Sequence, residues 1–387
     1  MNPNSHLKLL IQEFGKKYLS PHISSFEKEG TFPKELFLEL GKLHLLGIGL
    51  PEKWGGTELS WQEICVIFQE LSKFDPGFCL SYLTHTLLFL KNLYTNGNDY
   101  HAEKYFPSCL EGHSIGAMAM SEPEAGSDAL GLKTHAIKEK DKYIINGSKI
   151  FITNGPLADY FLVYARTGSG KHDISTFIVE KNYEGFSIGR SLLKMGMKSS
   201  PTCELFLHNC AVPLENLVGE ENKALTGMME NLDGERVALA AMSLGISQAC
   251  LDYSFKYVCE RQQFSIPLVA ISSVTDKIAN MAIGVETSQS LLNHAIDMLE
   301  QGGRQNSLCS IAKTYISETA TQIALDSIQV LGGYGYLSEY PVEKLMRDAK
   351  LLEIGGGSSD VLRGIIVKEL IRNQGVHLPD FSLPSQK

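Results

Sequence analysis

Apolar residues early in the chain recur at helical spacing. Leu7, Leu10, Ile11 and Phe14 fall on one face, and Leu36, Leu40 and Leu43 on another. Start signals share this phase: Pro33 suits a first helical turn, and Ser60 followed by Glu63 reads as a capping box that opens a helix through Ile67, Phe68 and Leu71. Between roughly Ile115 and Val218 the period changes to two, and β-branched and aromatic residues gather in Lys142-Tyr-Ile-Ile, Ile150-Phe-Ile-Thr, Tyr160-Phe-Leu-Val-Tyr and Ser175-Thr-Phe-Ile-Val. Lys140-Asp141, Asn146-Gly147, Asn154-Gly155 and Gly168-Ser-Gly170 read as the turns between them. After Glu220 the helical period returns and holds to about Arg372, with short breaks near Gln262 to Ser272, at Gly302-Gly303 and at Gly332 to Pro341. Leu378 to Lys387 read as a frayed tail. The pattern predicts an α+β chain in three parts: an N-terminal α-helical domain over 1–115, a middle antiparallel β domain over 116–220 and a C-terminal α-helical bundle over 221–387. No β-α-β alternation, G-x-G-x-x-G or Walker sequence is present, which argues against a Rossmann nucleotide site.

Charge narrows the partners. The 387 residues carry 35 Lys plus Arg against 44 Asp plus Glu, a net charge of −9, and no basic block. Nucleic acid and membrane surfaces are therefore poor partners. Apolar runs such as Leu43 to Leu50 fall well short of the ~20 residues that a membrane span needs. Met1 to Leu10 has no export or transit pattern, which predicts a cytoplasmic protein. Eight scattered cysteines form no metal-ligand spacing, so no metal is expected.

Three local patterns bear on chemistry. In Asn231-Leu-Asp-Gly-Glu-Arg-Val-Ala-Leu, helical spacing puts Glu235 on a stripe with Leu232, Leu239, Met242 and Ile246. A carboxylate there is either a desolvated base with a raised pKa or a first-turn residue that reaches solvent or pairs with a basic neighbour. Asp233 and Arg236 have the spacing of an ordinary ion pair. The second pattern, Met118 to Asp128, offers small residues (Ser121, Gly126, Ser127) with accessible backbone amides, the makings either of a cofactor-binding loop or of a plain one. The third pairs two glycine-rich breaks, Gln329-Val-Leu-Gly-Gly-Tyr-Gly-Tyr and Gly355-Gly-Gly-Ser-Ser-Asp, with Arg347-Asp-Ala-Lys between them. Such breaks either join helices or let backbone approach a ligand.

Together these stretches resemble the acyl-CoA dehydrogenase flavoprotein family over nearly the whole chain. The likeness rests on Leu50-Pro-Glu-Lys-Trp-Gly-Gly, Met118 to Asp128, Asn146-Gly-Ser-Lys-Ile-Phe-Ile-Thr-Asn-Gly, Arg261-Gln-Gln-Phe, Gln329 to Tyr336 and Arg347-Asp-Ala-Lys, all in the family's order. The isovaleryl-type members are the most similar, through Gly77-Phe-Cys-Leu-Ser-Tyr, Met197-Lys-Ser-Ser-Pro-Thr-Cys-Glu-Leu and Leu232-Asp-Gly-Glu-Arg. Most relatives carry the catalytic glutamate where this chain has Gly356. The isovaleryl type carries it in the Leu-Asp-x-Glu-Arg stretch, which points to Glu235 as base.

The resemblance implies FAD-dependent α,β-dehydrogenation of a short branched acyl-CoA: Glu235 takes the α-proton and a hydride passes to the flavin. Met118, Met120, Ser121, Gly126 and Ser127 are implied to line the flavin, with Ser127 also reaching the substrate. Phe151, Ile152 and Thr153 are implied to cover its ring system, Phe151 standing where many relatives have Trp. Arg261, Gln329, Gly332 and Gly333 are implied to hold the FAD pyrophosphate and adenosine across a subunit boundary, with Ser358 and Asp360 in the last flavin stretch. Ser200, Asp233 and Arg236 are assigned to the pantetheine arm, and Gly355, Gly356 and Gly357 to the acyl site. Gly355 and Gly356 leave room for a branch methyl unless Leu80 or Tyr82 closes the space. A homotetramer and an electron-transfer flavoprotein as acceptor are also implied. The chain departs from the family at Ser265, Ser272 and Asp360. The rival readings are a dehydrogenase of the same fold acting on another acyl-CoA or an acyl carrier protein thioester, and a non-catalytic flavin-binding scaffold.

Overall fold

Residues 3–302 and 305–374 are described in the computed structural model, so Gly303 and the Leu378 to Lys387 tail lie outside the described residues. The N-terminal helices are α1 (Pro3–Phe14), α2 (Ile23–Glu29), α3 (Glu35–Lys42), α4 (Trp61–Phe74), α5 (Pro76–Leu83), α6 (Asn92–Asn96) and α7 (Asp99–Leu110). They bury the faces the apolar phase assigns: Ile11 and Phe14 on α1, Leu36 and Leu40 on α3. The Ser60 hydroxyl accepts from the Glu63 amide at 3.3 Å, and the Ser60 amide donates to the Glu63 carboxylate at 2.9 Å, so α4 starts on a complete capping box. Pro33 precedes α3 instead of opening it; its carbonyl accepts from the Leu36 amide at 3.1 Å.

The middle strands are β1 (Gly116–Ala119), β2 (His135–Glu139), β3 (Lys142–Thr153), β4 (Tyr160–Arg166), β5 (Ile174–Glu180), β6 (Phe186–Ser191), β7 (Thr202–Pro213) and β8 (Leu217–Val218). They form one sheet in the order β6-β7-β3-β2-β4-β5-β8, with β1 also on β4. The sheet is mixed, not wholly antiparallel: β1 and the first residue of β2, His135, both pair parallel with β4. A parallel pair needs a long connection, and here the β2–β3 hairpin itself forms part of the crossover from β1 to β4. Asn146-Gly147 is not a turn between two strands. It is a bulge inside the 12-residue β3, where the register against β7 shifts between Ile145 and Gly147. The Asn146 side chain accepts from the Asn209 amide on β7 at 2.7 Å, so tertiary pairing overrides the local turn preference.

The chain returns to helix in α8 (Ala224–Glu260), then makes a small hairpin of β9 (Gln262–Gln263) and β10 (Ile266–Pro267). The remaining helices are α9 (Ser272–Glu300), α10 (Asn306–Leu331), α11 (Pro341–Leu352) and α12 (Ser359–Asn373). α8 packs between α4 and α10, and a single apolar core runs from Ile11 through Phe68, Leu239 and Ile316 to Leu352. The two helical segments thus share one interior, although the β domain separates them in sequence. A Cβ on Gly234 would lie 2.4 Å from the Trp61 ring, and one on Gly245 would lie 2.2 Å from the Gln69 carbonyl, so these glycines let α8 approach α4 closely.

A buried charge cluster joins all three parts. The Lys344 ammonium of α11 lies 3.1 Å from the Asp75 carboxylate at the α4–α5 junction and 2.6 Å from Asp348. Asp75 also accepts from the Ser199 hydroxyl at 2.8 Å, and Asp348 accepts from the Met197 amide, both in the β domain. Breaking one member of a buried charge pair costs about 3–5 kcal/mol. Asp348→Ala is therefore expected to lose stability of that order in urea denaturation followed by fluorescence; an unchanged midpoint would show that the cluster does not hold the seam.

Candidate active site

Glu235 lies in the fourth turn of α8, whose length is set by the unbroken run from Ala224 to Glu260. Its neighbours on the same face, Leu239, Met242 and Ile246, are buried, and Glu235 itself is only 9% exposed. Among the described residues no hydrogen bond reaches its carboxylate, so nothing but distant charge offsets the loss of hydration. Burial pushes the carboxyl from an ordinary 4.5 up to about 7, against the opposing pull of Arg236 and Lys313. Of the two sequence alternatives, the exposed first-turn carboxylate is therefore ruled out by position and burial.

The glycine turn after α11 faces this carboxylate. A Cβ built on Gly356 would stand 3.5 Å from a Glu235 carboxylate oxygen, so the two positions at which a glutamate is expected in the wider family converge on one point. Gly356 and Gly357 have φ of +64° and +92°, conformations that favour glycine. The same built Cβ would lie 2.3 Å from Leu239 Cδ1, so a glutamate at 356 would not fit without displacing Leu239. The space expected to open at Gly356 is thus filled from α8, and the room that remains is at Gly355, whose nearest neighbour is the Leu351 carbonyl at 3.6 Å. Tyr82 does not close this space: its ring is buried beside Phe68, and its hydroxyl donates to the Leu45 carbonyl at 2.5 Å.

Asp233 and Arg236 are a buried ion pair at 3.0 Å, not a surface one. Arg236 also bonds the Asn306 side chain, and Asp233 accepts from the Gln305 amide at 3.2 Å, which ties α8 to the start of α10. Ser200 is placed in the seam between domains. It is fully buried, and its hydroxyl accepts from Ser81 at 3.1 Å, so no face of it is open to a substrate arm.

Residues 118–127 run from the end of β1 into a loop beside the sheet. Met118 and Met120 are half-buried, the Ser121 carbonyl accepts from the Ile150 amide at 3.0 Å, and Gly126 and Ser127 are exposed. The loop is anchored by Glu122, whose carboxylate bonds the fully buried Lys149 ammonium at 2.8 Å and the Lys133 and Thr134 amides at 2.6 and 3.0 Å. At the second bulge in β3, Phe151 has φ of +61° and is 67% exposed, while Ile152 points back into the β core and Thr153 is half-buried. A bulky residue held at positive φ with its ring in solvent is strained, and such strain is often stored at functional sites.

Arg261, Gly332 and Gly333 come together around a cleft of about 440 Å³ that Tyr257, Leu268 and Tyr334 also line. The Arg261 guanidinium sits 5.5 Å from the centre of the Tyr334 ring, and Gln329 stands exposed on the last turn of α10. Phe264 and Ser265, at φ of +53° and +63°, make the two-residue turn between β9 and β10, so Ser265 adopts a conformation that a glycine would take more easily. Ser272 opens α9. Ser358 caps α12, its hydroxyl accepting from the Val361 amide at 3.4 Å, and Asp360 is exposed in the first turn. Glu235 does not line this cleft.

Sequence reasoning missed Lys149, Lys313 and the contact of Leu239 with the space beside Gly356. The fully buried Lys313 ammonium donates to the Gly357 carbonyl at 2.8 Å. A signal for Lys313 existed: it shares an α10 stripe with buried Cys309, Ile316 and Ala320, the same charge-on-an-apolar-face pattern that marks Glu235.

Comparison with known proteins places this geometry. The N-terminal, middle and C-terminal domain models of acyl-CoA dehydrogenase match residues 5–113, 117–210 and 224–371. A mitochondrial isovaleryl-CoA dehydrogenase of Arabidopsis thaliana is 40% identical over 94% of this chain and 90% of its own length. A mitochondrial 2-methylacyl-CoA dehydrogenase of Solanum tuberosum is 38% identical over 94% of this chain and 89% of its own. The structure of butyryl-CoA dehydrogenase from Megasphaera elsdenii superposes with a TM-score of 0.92 at 35% identity, covering 96% of this chain and 99% of that one. With all three parts matched in order, the chain belongs to the acyl-CoA dehydrogenase family of FAD-dependent oxidoreductases.

Proposed function

We propose that the protein dehydrogenates a short branched acyl-CoA across Cα–Cβ, with Glu235 as the base that removes the α-proton. The observation that carries this reading is the Glu235 carboxylate itself: buried, free of hydrogen bonds among the described residues, raised to about 7, and facing the Gly356 turn. Ionised near neutral pH, such a group can accept a proton with little reorganisation. The backbone amide of Gly356 is assigned as a donor to the thioester oxygen, where charge builds as the α-proton leaves.

The chain's open surfaces fit FAD. No atom lies within 4 Å of a Cβ built on Gly126, Gly332 or Gly333, so backbone is accessible there, and Phe151 offers an exposed aromatic face. Residues 118–127, Phe151 and Thr153 are assigned to the ring system, and Arg261, Gln329, Gly332, Gly333, Ser358 and Asp360 to the dinucleotide part. Bound FAD supplies the two-electron acceptor for the hydride that leaves Cβ. We assign a homotetramer, supported by the exposed Phe264 and Tyr336 (88% and 84%) near the Arg261 cleft, and an electron-transfer flavoprotein as the final acceptor.

Glu235→Gln keeps size and polarity but cannot take the proton. Anaerobic flavin reduction is expected to slow by at least ~10²-fold while FAD stays bound; reduction at the wild-type rate would remove Glu235 as base.

The raised pKa also links stability to pH. Folded Glu235 holds its proton up to about pH 7, whereas in the unfolded chain it ionises near 4.5, so its contribution to stability is full below 4.5 and is lost as pH rises through 7. Glu235→Gln lacks this loss. Its stability relative to wild type is expected to improve by about 3 kcal/mol between pH 4 and pH 8 in urea titrations, and an equal difference at both pH values would contradict the buried, titrating carboxyl.

Branched-chain preference rests on the room at Gly355, since Leu239 fills the space at Gly356. One methylene-sized difference in an apolar pocket discriminates about 10- to 200-fold. Flavin-reduction rates with isovaleryl-, 2-methylbutyryl-, butyryl- and octanoyl-CoA are expected to favour the branched C5 groups; a preference for octanoyl-CoA would reject the branched substrate and leave dehydrogenation intact.

A further inference from the structure

Lys313 combines three features that packing alone does not explain. It is fully buried in the third turn of α10, and among the described residues it forms no ion pair within 4 Å and one hydrogen bond, to the Gly357 carbonyl at 2.8 Å. A buried ammonium with a single neutral acceptor is costly to keep, and a methionine would fill the same volume without that cost. The bond lands on the one segment of the site with little stiffness of its own, the run from Gly355 to Gly357, where two successive residues have positive φ. Among the described residues, the only other hydrogen bond of that run is from the Gly355 amide to the Leu351 carbonyl, at 2.8 Å. Lys313 is thus the side chain that ties the turn to the helical core.

Accepting the reading of Glu235 as base, we propose that Lys313 is a positioning residue of the active site: from α10 it fixes the Gly355–Gly357 turn against Glu235 and places a compensating positive charge beside that carboxylate. The charges around the pair come from every side. Glu235 and Arg236 face Lys313 from α8, Glu318 from its own helix and Glu353 from the end of α11, while Tyr164 of β4 lies near Glu235. Burial lowers the Lys313 pKa to about 8, with Glu235 the largest opposing influence, and Lys313 in turn pulls Glu235 down from a still higher value. While charged, the ammonium adds to the pull of Arg236 and favours the ionised form of the base. Tethering and charge have separate signatures, because a slack turn slows the reaction without altering how Glu235 titrates.

The test reads the titration of Glu235 directly in the FAD-loaded protein without substrate, from the carboxyl infrared band that disappears in Glu235→Gln. Lys313→Met removes both charge and donor, and its Glu235 midpoint is expected to rise by about one pH unit, with anaerobic flavin reduction by isovaleryl-CoA at least ~10-fold slower at pH 7. Lys313→Arg keeps the charge and is expected to hold the midpoint near the wild-type value. Should Lys313→Met fail to fold, Lys313→Gln, which keeps a donor for Gly357 without the charge, is expected to raise the midpoint in the same way. A Glu235 midpoint unchanged in a folded, uncharged variant would overturn the proposal even if the rate fell, since slowing alone is what a purely structural lysine gives. Because the infrared midpoint does not depend on turnover, this failure is distinguishable from failure of the base assignment, which a wild-type rate in Glu235→Gln would reveal.

Discussion

The site is assembled at a seam between three parts of the chain, and the buried Lys344 ammonium between Asp75 and Asp348 is the constraint that sets the seam's register. Burial opposes the charge on Lys344, yet the two carboxylates keep it protonated. Each partner brings a different element with it: Asp75 the α4–α5 junction, Asp348 the helix that ends at the Gly355 turn, and Ser199 and Met197 the β domain. The neighbouring Arg347 extends the clamp to Glu27 at 3.0 Å and to the Met195 carbonyl at 3.0 Å. Apolar packing tolerates sliding, whereas a buried ion pair is satisfied in only one register. Gly77 and Gly196 allow that register, since a Cβ on either would lie 2.2 Å from an atom across the seam.

Within this frame the chemistry depends on contrasts in environment. Glu122, like Glu235, has little exposed surface, yet it is saturated by Lys149 and two backbone amides, and its carboxyl stays below the usual range despite the cost of burial. Glu235 has no such donors, and burial raises it. One carboxylate is thereby a structural anchor for the 118–127 loop and the other, the proposed base, is left without a donor, the division of labour that paired carboxylates with opposed environments generally display. Leu239, one turn beyond Glu235, contributes to the apolar surroundings of the proposed base and fills the space beside Gly356, so the two properties are coupled through one helix face.

The helices of the first and last thirds, the capping box at Ser60 and the strand runs of the middle third were legible in the sequence, because a period of 3.6 or 2 and a side chain three residues from its backbone partner are local properties. Glu235 stood out for the same reason: its place on an apolar stripe depends only on helical spacing. The family motifs carried the order of the three parts. What local pattern could not supply was anything decided by a partner far along the chain. Asn146-Gly147 has turn chemistry, but pairing with β7 turned it into a bulge. The helical domains at either end read as separate units, yet α4 and α8 share one interior.

The same distinction holds at the site. By itself the sequence singled out the residues proposed to carry the chemistry, including a carboxylate on an apolar helix face and a glycine turn without one. Tertiary structure alone decided their environment: that Asp233 and Arg236 are buried partners, that Ser200 lies inside the domain seam, that Leu239 fills the space beside Gly356, and that Lys313 reaches the Gly357 carbonyl. The physical reason is range. Secondary structure follows from neighbours a few residues away, whereas desolvation, pocket shape and the pKa of a base are set by atoms that only folding brings within a few ångströms.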